Sequence, residues 1–203
     1  PGLSVDELLD QLARFVPSRA ALLGWSLGGM LAARFVAQYP QHCAALITIA
    51  TNACHVAREG WPQALSSEEF ERFYAEVIAN PVASLRRFQA LQLFGDERER
   101  ELLRELRRMK TQDPSPEALR WSLDLLRELD VRDDLRDCRV PGLHLFGTRD
   151  ALVPIAASDR IAALVEDHWA VGIDGVAHLP FLSHPEICWQ HVDDTLFDAR
   201  LLK

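Results

Sequence analysis

The chain has 203 residues, of which 48% are hydrophobic, and it carries a formal net charge of −8 at pH 7. This length and composition are typical of one globular domain with a sizeable core, and the acidic balance excludes proteins that bind nucleic acid through bulk positive charge. No apolar run reaches the roughly 18 residues that a membrane span requires, so we expect a soluble protein without a membrane partner.

The chain begins with alternating helical and strand-like patterns. Ser4 and Glu7 form a capping-box pattern at the start of an amphipathic helix that Pro17 ends. Residues 20–25 are a short apolar run of the kind that is buried in a parallel sheet, and residues 43–50 are a second such run. A helical pattern separates the two runs. This order predicts a parallel α/β sheet flanked by helices.

The strand signal disappears in the middle of the chain and then returns. Helical patterns fill residues 53–136 without a strand-like run. Strand-like runs reappear at residues 142–147 and 168–174, and a helical pattern follows each of them. We therefore predict that residues 1–52 and 137–203 form an α/β core and that residues 53–136 form a helical insertion.

Ser26 stands in a Gly-x-Ser-x-Gly pattern with Gly24 and Gly28, directly after the first strand. This pattern is typical of a tight strand-to-helix turn that exposes the serine hydroxyl as a nucleophile. The turn leaves no room for side chains two positions before and after the serine, which explains the glycines. An ordinary glycine-rich turn that contains an unreactive serine has the same pattern. Whether Ser26 is a nucleophile therefore depends on finding a histidine and a carboxylate elsewhere in the chain.

A serine nucleophile needs an imidazole to take its proton and a carboxylate to hold that imidazole. Asp150 follows the strand at 142–147, and His178 follows the strand at 168–174. Because the carboxyl ends of parallel strands meet at one edge of a sheet, both side chains are expected to face Ser26. The order serine, acid, histidine is the order that this architecture uses. The sequence thus predicts Ser26, Asp150 and His178 as a catalytic triad.

Other histidines, acids and aromatic residues have simpler interpretations. His184 competes with His178, but it stands before Pro185 at a predicted helix start, where a capping role is sufficient. His144 lies within a strand and is expected in the core or on a sheet face. We expect a surface position for His42, His55 and His168, a solvated position for Asp130, Asp133 and Asp134, and either a core or a pocket position for Trp25, Trp61 and Phe88.

Three segments together resemble the α/β-hydrolase superfamily over nearly the whole chain. They are Gly-Trp-Ser-Leu-Gly-Gly at residues 24–29, Gly-x-x-Asp at residues 147–150 and Gly-x-x-His-x-Pro-Phe-x-Ser-His-Pro at residues 175–185. Within that superfamily, residues 52–62, 86–95 and 178–188 resemble the carboxylesterase family that acts on the methyl ester of pimeloyl-[acyl-carrier-protein] in biotin biosynthesis.

The resemblance implies a role for each site residue. Ser26 would be the nucleophile, His178 the general base and then the general acid, and Asp150 the residue that orients the imidazole. No metal or organic cofactor is implied. The oxyanion and substrate-binding roles fall on Leu27, through its backbone N–H, and on Trp25 and Phe88.

The family also has strands before the helix with which this sequence opens, and one of their loops carries a second oxyanion donor. The expected architecture is therefore an α/β-hydrolase fold, with a parallel sheet, flanking helices and a helical lid insertion, that lacks the N-terminal strands.

The insertion carries a local excess of positive charge. Residues 86–110 contain eight basic and five acidic side chains, a net charge of +3 within a chain of −8. One interpretation is a solvated helix with ion pairs at helical spacing, namely Glu97–Arg100, Glu101–Arg104 and Glu105–Arg108. The resemblance implies instead that a basic face binds the acidic acyl carrier protein. The implied docking residues are Arg87, Arg100 and Arg104, whereas Ala83 stands where another arginine is expected.

The cysteines bear on the cellular compartment. They are far apart and form no Cys-x-x-Cys pair, which predicts neither a zinc site nor a disulfide framework. The first residues include acids and have no basic-then-apolar leader. We expect a monomer in the reducing cytoplasm.

The predicted function is hydrolysis of a carrier-bound methyl ester through an acyl-serine intermediate. A general short-chain carboxylesterase and a carbon-carbon bond hydrolase of the same fold are the alternatives within catalysis. A non-catalytic binding module is the alternative of another class, and only the absent N-terminal strands favour it.

Overall fold

A computed structural model describes residues 3–109 and 114–198 of the chain. Lys110, which contributes to the predicted basic face, lies outside the described residues. The described part contains a four-stranded sheet in which every neighbouring pair is parallel and the strand order follows the chain. Its strands are β1 (Ala20–Trp25), β2 (Cys43–Ile49), β3 (Gly142–Gly147) and β4 (His168–Ile173).

Helices precede, connect and follow these strands, as the alternating sequence pattern predicts. In the core they are α1 (Val5–Ala13), α2 (Leu27–Gln38), α8 (Ala156–Ala162), α9 (Pro180–Ser183) and α10 (Pro185–Asp198). A single 3₁₀ turn over Pro40–His42 leads into β2. The helices between β2 and β3 are α3 (Ser67–Ala79), α4 (Pro81–Leu91), α5 (Glu99–Arg108), α6 (Pro116–Glu128) and α7 (Arg132–Arg136).

The hydrophobic core lies on both faces of the sheet. Along β2 and β3, alternate side chains point to opposite faces, so that Leu46 and Phe146 join one buried cluster while Ile47 and Leu145 join another. Helices α1, α2 and α8 cover the first face, and α10 packs against β3 on the second. Burial of both faces explains why β2 and β3 appear in the sequence as continuous apolar runs, whereas the edge strands β1 and β4 expose Leu23 and Trp169.

Local chemistry sets the helix boundaries. The capping box that the sequence predicts at Ser4 and Glu7 is formed. Helix α4 ends at Leu91, and the chain then turns through Gly95, which adopts a left-handed conformation with φ 86° that a helix cannot contain. The next helix starts at Glu99, after a turn in which the Asp96 side chain accepts a hydrogen bond from the Arg98 N–H at 2.9 Å.

Two histidines predicted at the surface are buried, so those predictions were wrong. His55 is 9% exposed and packs edge-on against Phe70, and His168 is 5% exposed. The ring of His168 fits because Gly142, its neighbour on β3, has no side chain to occupy the same space. An isolated histidine at a strand end gives no sequence signal for such a packing partner.

His168 belongs to a buried row of polar side chains that crosses the sheet. The Thr48 hydroxyl contacts Nδ1 of His144 at 2.7 Å, Nε2 of His144 contacts Nδ1 of His168 at 2.9 Å, and Nε2 of His168 contacts the Val140 carbonyl at 3.2 Å. Burial lowers the pKa of both imidazoles and keeps them neutral, and the Val140 carbonyl can only accept, so each ring carries its proton on Nε2. The Thr48 hydroxyl is then the donor at the other end of the row.

No described helix is both long and apolar enough to cross a membrane. Helices α3 to α7 form the inserted region, in which α3 packs against α4 and α6. Trp61, at the start of this region, is 1% exposed and donates its indole N–H to the Asn52 side chain at 2.8 Å. Trp61 is therefore a core residue rather than a pocket residue.

Candidate active site

Ser26 occupies a strained turn between β1 and α2. Its backbone has φ 52° and ψ −122°, a conformation that L-amino acids rarely adopt. The end of β2 holds this turn, because the Ser26 N–H donates to the Ile49 carbonyl at 2.9 Å and the Thr51 hydroxyl donates to the Ser26 carbonyl at 3.1 Å. The strain and its support are those of a nucleophile elbow.

The glycines around Ser26 have different roles from those that the sequence predicts. A Cβ on Gly24 would overlap the backbone of Gly28, which confirms that Gly24 must lack a side chain. A Cβ on Gly28 would meet no atom within 4 Å, so the same prediction for Gly28 was wrong. Gly29 is the second crowded position, since a Cβ there would overlap the Thr51 side chain. The tight approach of α2 to the end of β2 requires this third glycine.

Asp150 and His178 form a buried pair beyond the carboxyl ends of β3 and β4. One carboxylate oxygen of Asp150 lies 2.7 Å from Nδ1 of His178, and both side chains are 1% exposed. The other oxygen accepts the backbone N–H groups of Leu152 at 2.8 Å and Val153 at 3.0 Å. A carboxylate only accepts, so the proton of this pair belongs to Nδ1 of His178. Nε2 is then an acceptor.

Trp25 joins the Ser26 turn to the His178 loop. Its indole N–H donates to the His178 carbonyl at 2.9 Å, and its ring lies against the His178 imidazole and the Phe181 ring. Nε2 of His178 is buried and has no hydrogen-bond partner among the described residues. Trp25, the residue before Ser26, is thus hydrogen-bonded to the main chain of His178.

The remaining predicted site residues lie on or next to helices α2, α4 and α10. Leu27 begins α2, and its N–H therefore has no partner within that helix. Phe88 is half-buried in α4, where its ring packs against Phe73 with 5.7 Å between the centroids. His184 precedes α10, as predicted, and its carbonyl accepts the Cys188 N–H at 3.1 Å.

His55 is a residue of this region that the sequence reasoning missed. Burial lowers the pKa of its imidazole to about 4. His55 follows β2 in the chain, and its place after a strand end is the sequence feature from which a position near the site could have been predicted. Within residues 3–109 and 114–198, no three His, Cys, Asp or Glu side chains converge as metal ligands.

The arginines predicted to bind a carrier protein are exposed on the inserted region. Arg87 pairs with Glu76 at 2.9 Å, and both side chains are more than half exposed. Two of the acids predicted to pair with Arg100 and Arg104 face other arginines. Glu97 lies 3.7 Å from Arg149, and Glu101 pairs with Arg98 at 2.6 Å. Arg100 and Arg104 are exposed on α5 and line a shallow depression at its start together with Asp96, Glu97, Arg98, Glu99 and Glu101.

Comparisons with known proteins agree with this architecture. The profile of a family described as the alpha/beta hydrolase fold matches residues 5–185. The chain is 36% identical to the biotin biosynthesis bifunctional protein BioHC of Teredinibacter turnerae, covering 89% of this chain and 34% of that protein. It is 35% identical to the pimeloyl-[acyl-carrier protein] methyl ester esterase of Pectobacterium carotovorum, covering 94% of this chain and 75% of the esterase.

A solved structure shows the same fold. The esterase EaEST of Exiguobacterium antarcticum superposes with a TM-score of 0.80 at 20% identity, over 94% of this chain and 70% of that one. At 20% identity this structure is evidence for the fold alone, whereas the family profile and the relatives at about 35% identity are evidence for the family. From its sheet, its elbow, its buried acid-histidine pair and these matches, we conclude that the chain belongs to the alpha/beta hydrolase fold family.

Proposed function

We propose that this chain is a serine carboxylesterase that hydrolyses the methyl ester of pimeloyl-[acyl carrier protein], a step of biotin biosynthesis. The observation that carries the proposal is the state of His178, whose Nδ1 is held by buried Asp150 and whose Nε2 is buried and unpaired among the described residues. An imidazole in this state is prepared to accept a proton. The substrate is that named for the relatives at about 35% identity.

Acylation follows from this arrangement. The Ser26 hydroxyl attacks the ester carbonyl while Nε2 of His178 takes its proton, and Asp150 stabilises the imidazolium that forms. The Leu27 N–H, free at the start of α2, donates to the negative oxygen of the tetrahedral intermediate. His178 then gives its proton to the leaving methanol, and the acyl chain remains as an ester of Ser26.

Deacylation repeats these steps with water. His178 takes a proton from a water molecule, which attacks the acyl-serine carbonyl, and the Leu27 N–H again donates to the oxyanion. Collapse of the intermediate returns the proton from His178 to Ser26 and releases the free carboxylate. No step requires a metal or an organic cofactor. Trp25 contributes by holding the His178 carbonyl and, with Phe88, by lining the acyl site.

Residues 53–136 serve as a lid that selects the substrate, whereas residues 1–52 and 137–203 supply the catalytic core. The acidic carrier protein docks on Arg87, Arg100 and Arg104 of the lid. Supporting this role, Arg100 and Arg104 are exposed, and Glu97 and Glu101 pair with Arg149 and Arg98 rather than with them. Unneutralised guanidinium groups raise the encounter rate with an acidic partner. The enzyme acts as a monomer in the cytoplasm, where its four cysteines stay as thiols.

The experiment compares two substrates with the purified chain. We expect hydrolysis of the carrier-bound methyl ester with a much higher kcat/KM than that of a small p-nitrophenyl ester, and loss of both activities in Ser26→Ala. Equal kcat/KM values on the two substrates would favour a general short-chain carboxylesterase. Binding of the carrier without any hydrolysis would favour a non-catalytic module.

A further inference from the structure

Two segments that are distant in sequence meet at the main chain around His178. We call residues 92–98, which join α4 to α5, the connector, and residues 174–179, which follow β4, the histidine loop. The Glu97 N–H donates to the Gly175 carbonyl at 3.1 Å, and the His178 N–H donates to the Gln92 carbonyl at 3.0 Å. The inserted region therefore holds the main chain of the histidine loop at both of these residues.

Asp96 makes the one side-chain contact in this set that a substitution can remove. Its carboxylate is buried, at 6% exposure, and both oxygens accept backbone N–H groups. One accepts the Arg98 N–H at 2.9 Å, which forms a local turn before α5, and the other accepts the Ala177 N–H at 3.0 Å. The turn needs only one oxygen, so the second bond, to the histidine loop, requires a separate explanation.

The environment of Ala177 makes this second bond consequential. Ala177 is 0% exposed, so its N–H has no access to water if the Asp96 carboxylate is removed. A buried N–H without an acceptor is costly, and the loop is expected to move until the group finds a partner. Ala177 precedes His178 directly, so any such movement displaces the imidazole.

We propose that Asp96 is a positioning residue for the reaction, which acts by fixing the Ala177 amide and thereby the position of the His178 imidazole. This inference rests on the proposed role of His178 as the base. Three other contacts of His178 come from Asp150, Trp25 and the Gln92 carbonyl, and Asp96 adds the restraint on the preceding residue. The inserted region is then part of the support of the catalytic base and not only a cover over the substrate.

Two variants of the full chain separate this role from support of the turn before α5. Asp96→Ser keeps an oxygen that can accept the Arg98 N–H, because serine hydroxyls form the same local turn, but that single oxygen cannot also accept the Ala177 N–H. Asp96→Asn keeps the shape of the side chain and only one of the two acceptors. Glu99→Ala is the matched control. The Glu99 side chain, at the start of α5, accepts the N–H of Gly95 in the connector at 3.0 Å but forms no hydrogen bond with the histidine loop.

The readouts are kcat and KM on a p-nitrophenyl ester, and amide hydrogen exchange followed by mass spectrometry. For Asp96→Ser we expect kcat to fall by about 10- to 100-fold with little change in KM, because small displacements of a catalytic group have effects of this size. Exchange in residues 174–179 becomes faster, whereas exchange in α5 is unchanged. Asp96→Asn gives an intermediate loss, and Glu99→Ala keeps kcat within about threefold of the parent.

A kcat near the parent value in both Asp96 variants, or unchanged exchange in the histidine loop, would overturn the proposal. An equal loss of kcat in Glu99→Ala would also overturn it, since general loosening of the connector would then be sufficient. His178→Ala distinguishes the two levels of inference. If His178→Ala retains activity, the proposed function is wrong; if it is inactive while the Asp96 variants are fully active, only the positioning role is wrong.

Discussion

The Asp150 carboxylate accepts a 2.7 Å hydrogen bond from Nδ1 of His178, and both side chains are almost completely excluded from solvent. This contact determines which ring nitrogen carries the proton, because an ionised carboxylate offers no proton of its own. The free lone pair is then on Nε2, the atom that must receive the serine proton in the proposed mechanism.

Asp150→Asn is expected to reduce kcat by about 10⁴-fold while the fold is retained. The asparagine oxygen can still accept from Leu152 and Val153, which leaves the NH₂ group facing Nδ1 of His178. The imidazole must then accept at Nδ1 and carry its proton on Nε2, where it cannot act as a base. Steady-state kinetics with thermal unfolding measure both effects. Asp174→Asn, at an exposed position directly after β4, is the control, and equal activity in the two variants would contradict the assignment.

Replacing His178 and His184 separately with alanine tests which of them is the base. We expect His178→Ala to lose about 10³-fold or more in kcat, because it removes the acceptor for the Ser26 proton. His184→Ala is expected to affect stability more than kcat, since His184 stands at the start of α10 and its imidazole is not paired with Asp150. A larger loss of kcat in His184→Ala than in His178→Ala would show that the assignment is wrong.

The three glycines near Ser26 should differ in their tolerance of alanine. Gly24→Ala and Gly29→Ala each place a Cβ on top of other atoms, so we expect a loss of about 3 kcal/mol or more in the free energy of unfolding. Gly28→Ala places its Cβ in open space and is expected to be nearly neutral. Urea denaturation of the three variants measures the difference. A Gly28 variant as unstable as the other two would contradict the described approach of α2 to β2.

Charge reversal of Arg100 and Arg104 together is expected to reduce kcat/KM for the carrier-bound ester by about 10-fold or more at low salt. Added salt should diminish the difference from the parent, because it screens attraction between exposed charges. Hydrolysis of a p-nitrophenyl ester should be unaffected. Arg87→Glu should have a weaker effect, since Glu76 already neutralises Arg87.

Arg139→Glu is the control for this experiment, because Arg139 is exposed before β3 at the opposite end of the sheet from Ser26. Equal losses on both substrates would point to damage of the lid rather than loss of docking. No loss on either substrate would mean that the basic residues form an ordinary solvated surface.

Stability is expected to fall when the pH is lowered from 7 to 5. Burial lowers the pKa of His144 to about 3, and burial also lowers the pKa of His168. Because these values lie below the ordinary value near 6.5, the unfolded chain binds protons first as the pH falls. His144 alone should then remove about 2 kcal/mol from the free energy of unfolding between pH 7 and pH 5.

Urea denaturation at the two pH values measures this loss. The variant His144→Gln lacks the ionisable group, so the decrease between pH 7 and pH 5 should be smaller by about the same 2 kcal/mol. An identical decrease in the parent and the variant would mean that the buried row does not control acid stability.

The sequence predicts most of the fold because burial and turn chemistry leave local patterns. The four strands are short apolar runs, and each is found where the pattern predicts it. The break between α4 and α5 could not be predicted, because a single glycine within a helical pattern does not show whether it adopts a positive φ, as Gly95 does. The short helices α7 and α9 are too brief to create a periodic signal.

Parts of the candidate site depend on contacts that no sequence pattern records. Asp150 and His178 could be predicted because both follow strands whose carboxyl ends meet. The burial of His55 and His168 depends on space that Phe70 and Gly142 leave for them, and this space appears only after the chain is folded. The bond from the His178 N–H to Gln92 uses a backbone carbonyl, which any residue type supplies equally.

The hydrogen bonds from Ala177 and His178 to residues 92–98 also bear on enzyme engineering. A chimaera that replaces residues 53–136 with the corresponding region of a relative would exchange the substrate-facing surface and the acceptors of these two amides at once. Its turnover would then change for reasons unrelated to specificity. A graft that keeps residues 92–98 and exchanges only the helices on either side is expected to change substrate preference while the machinery around Ser26 continues to work.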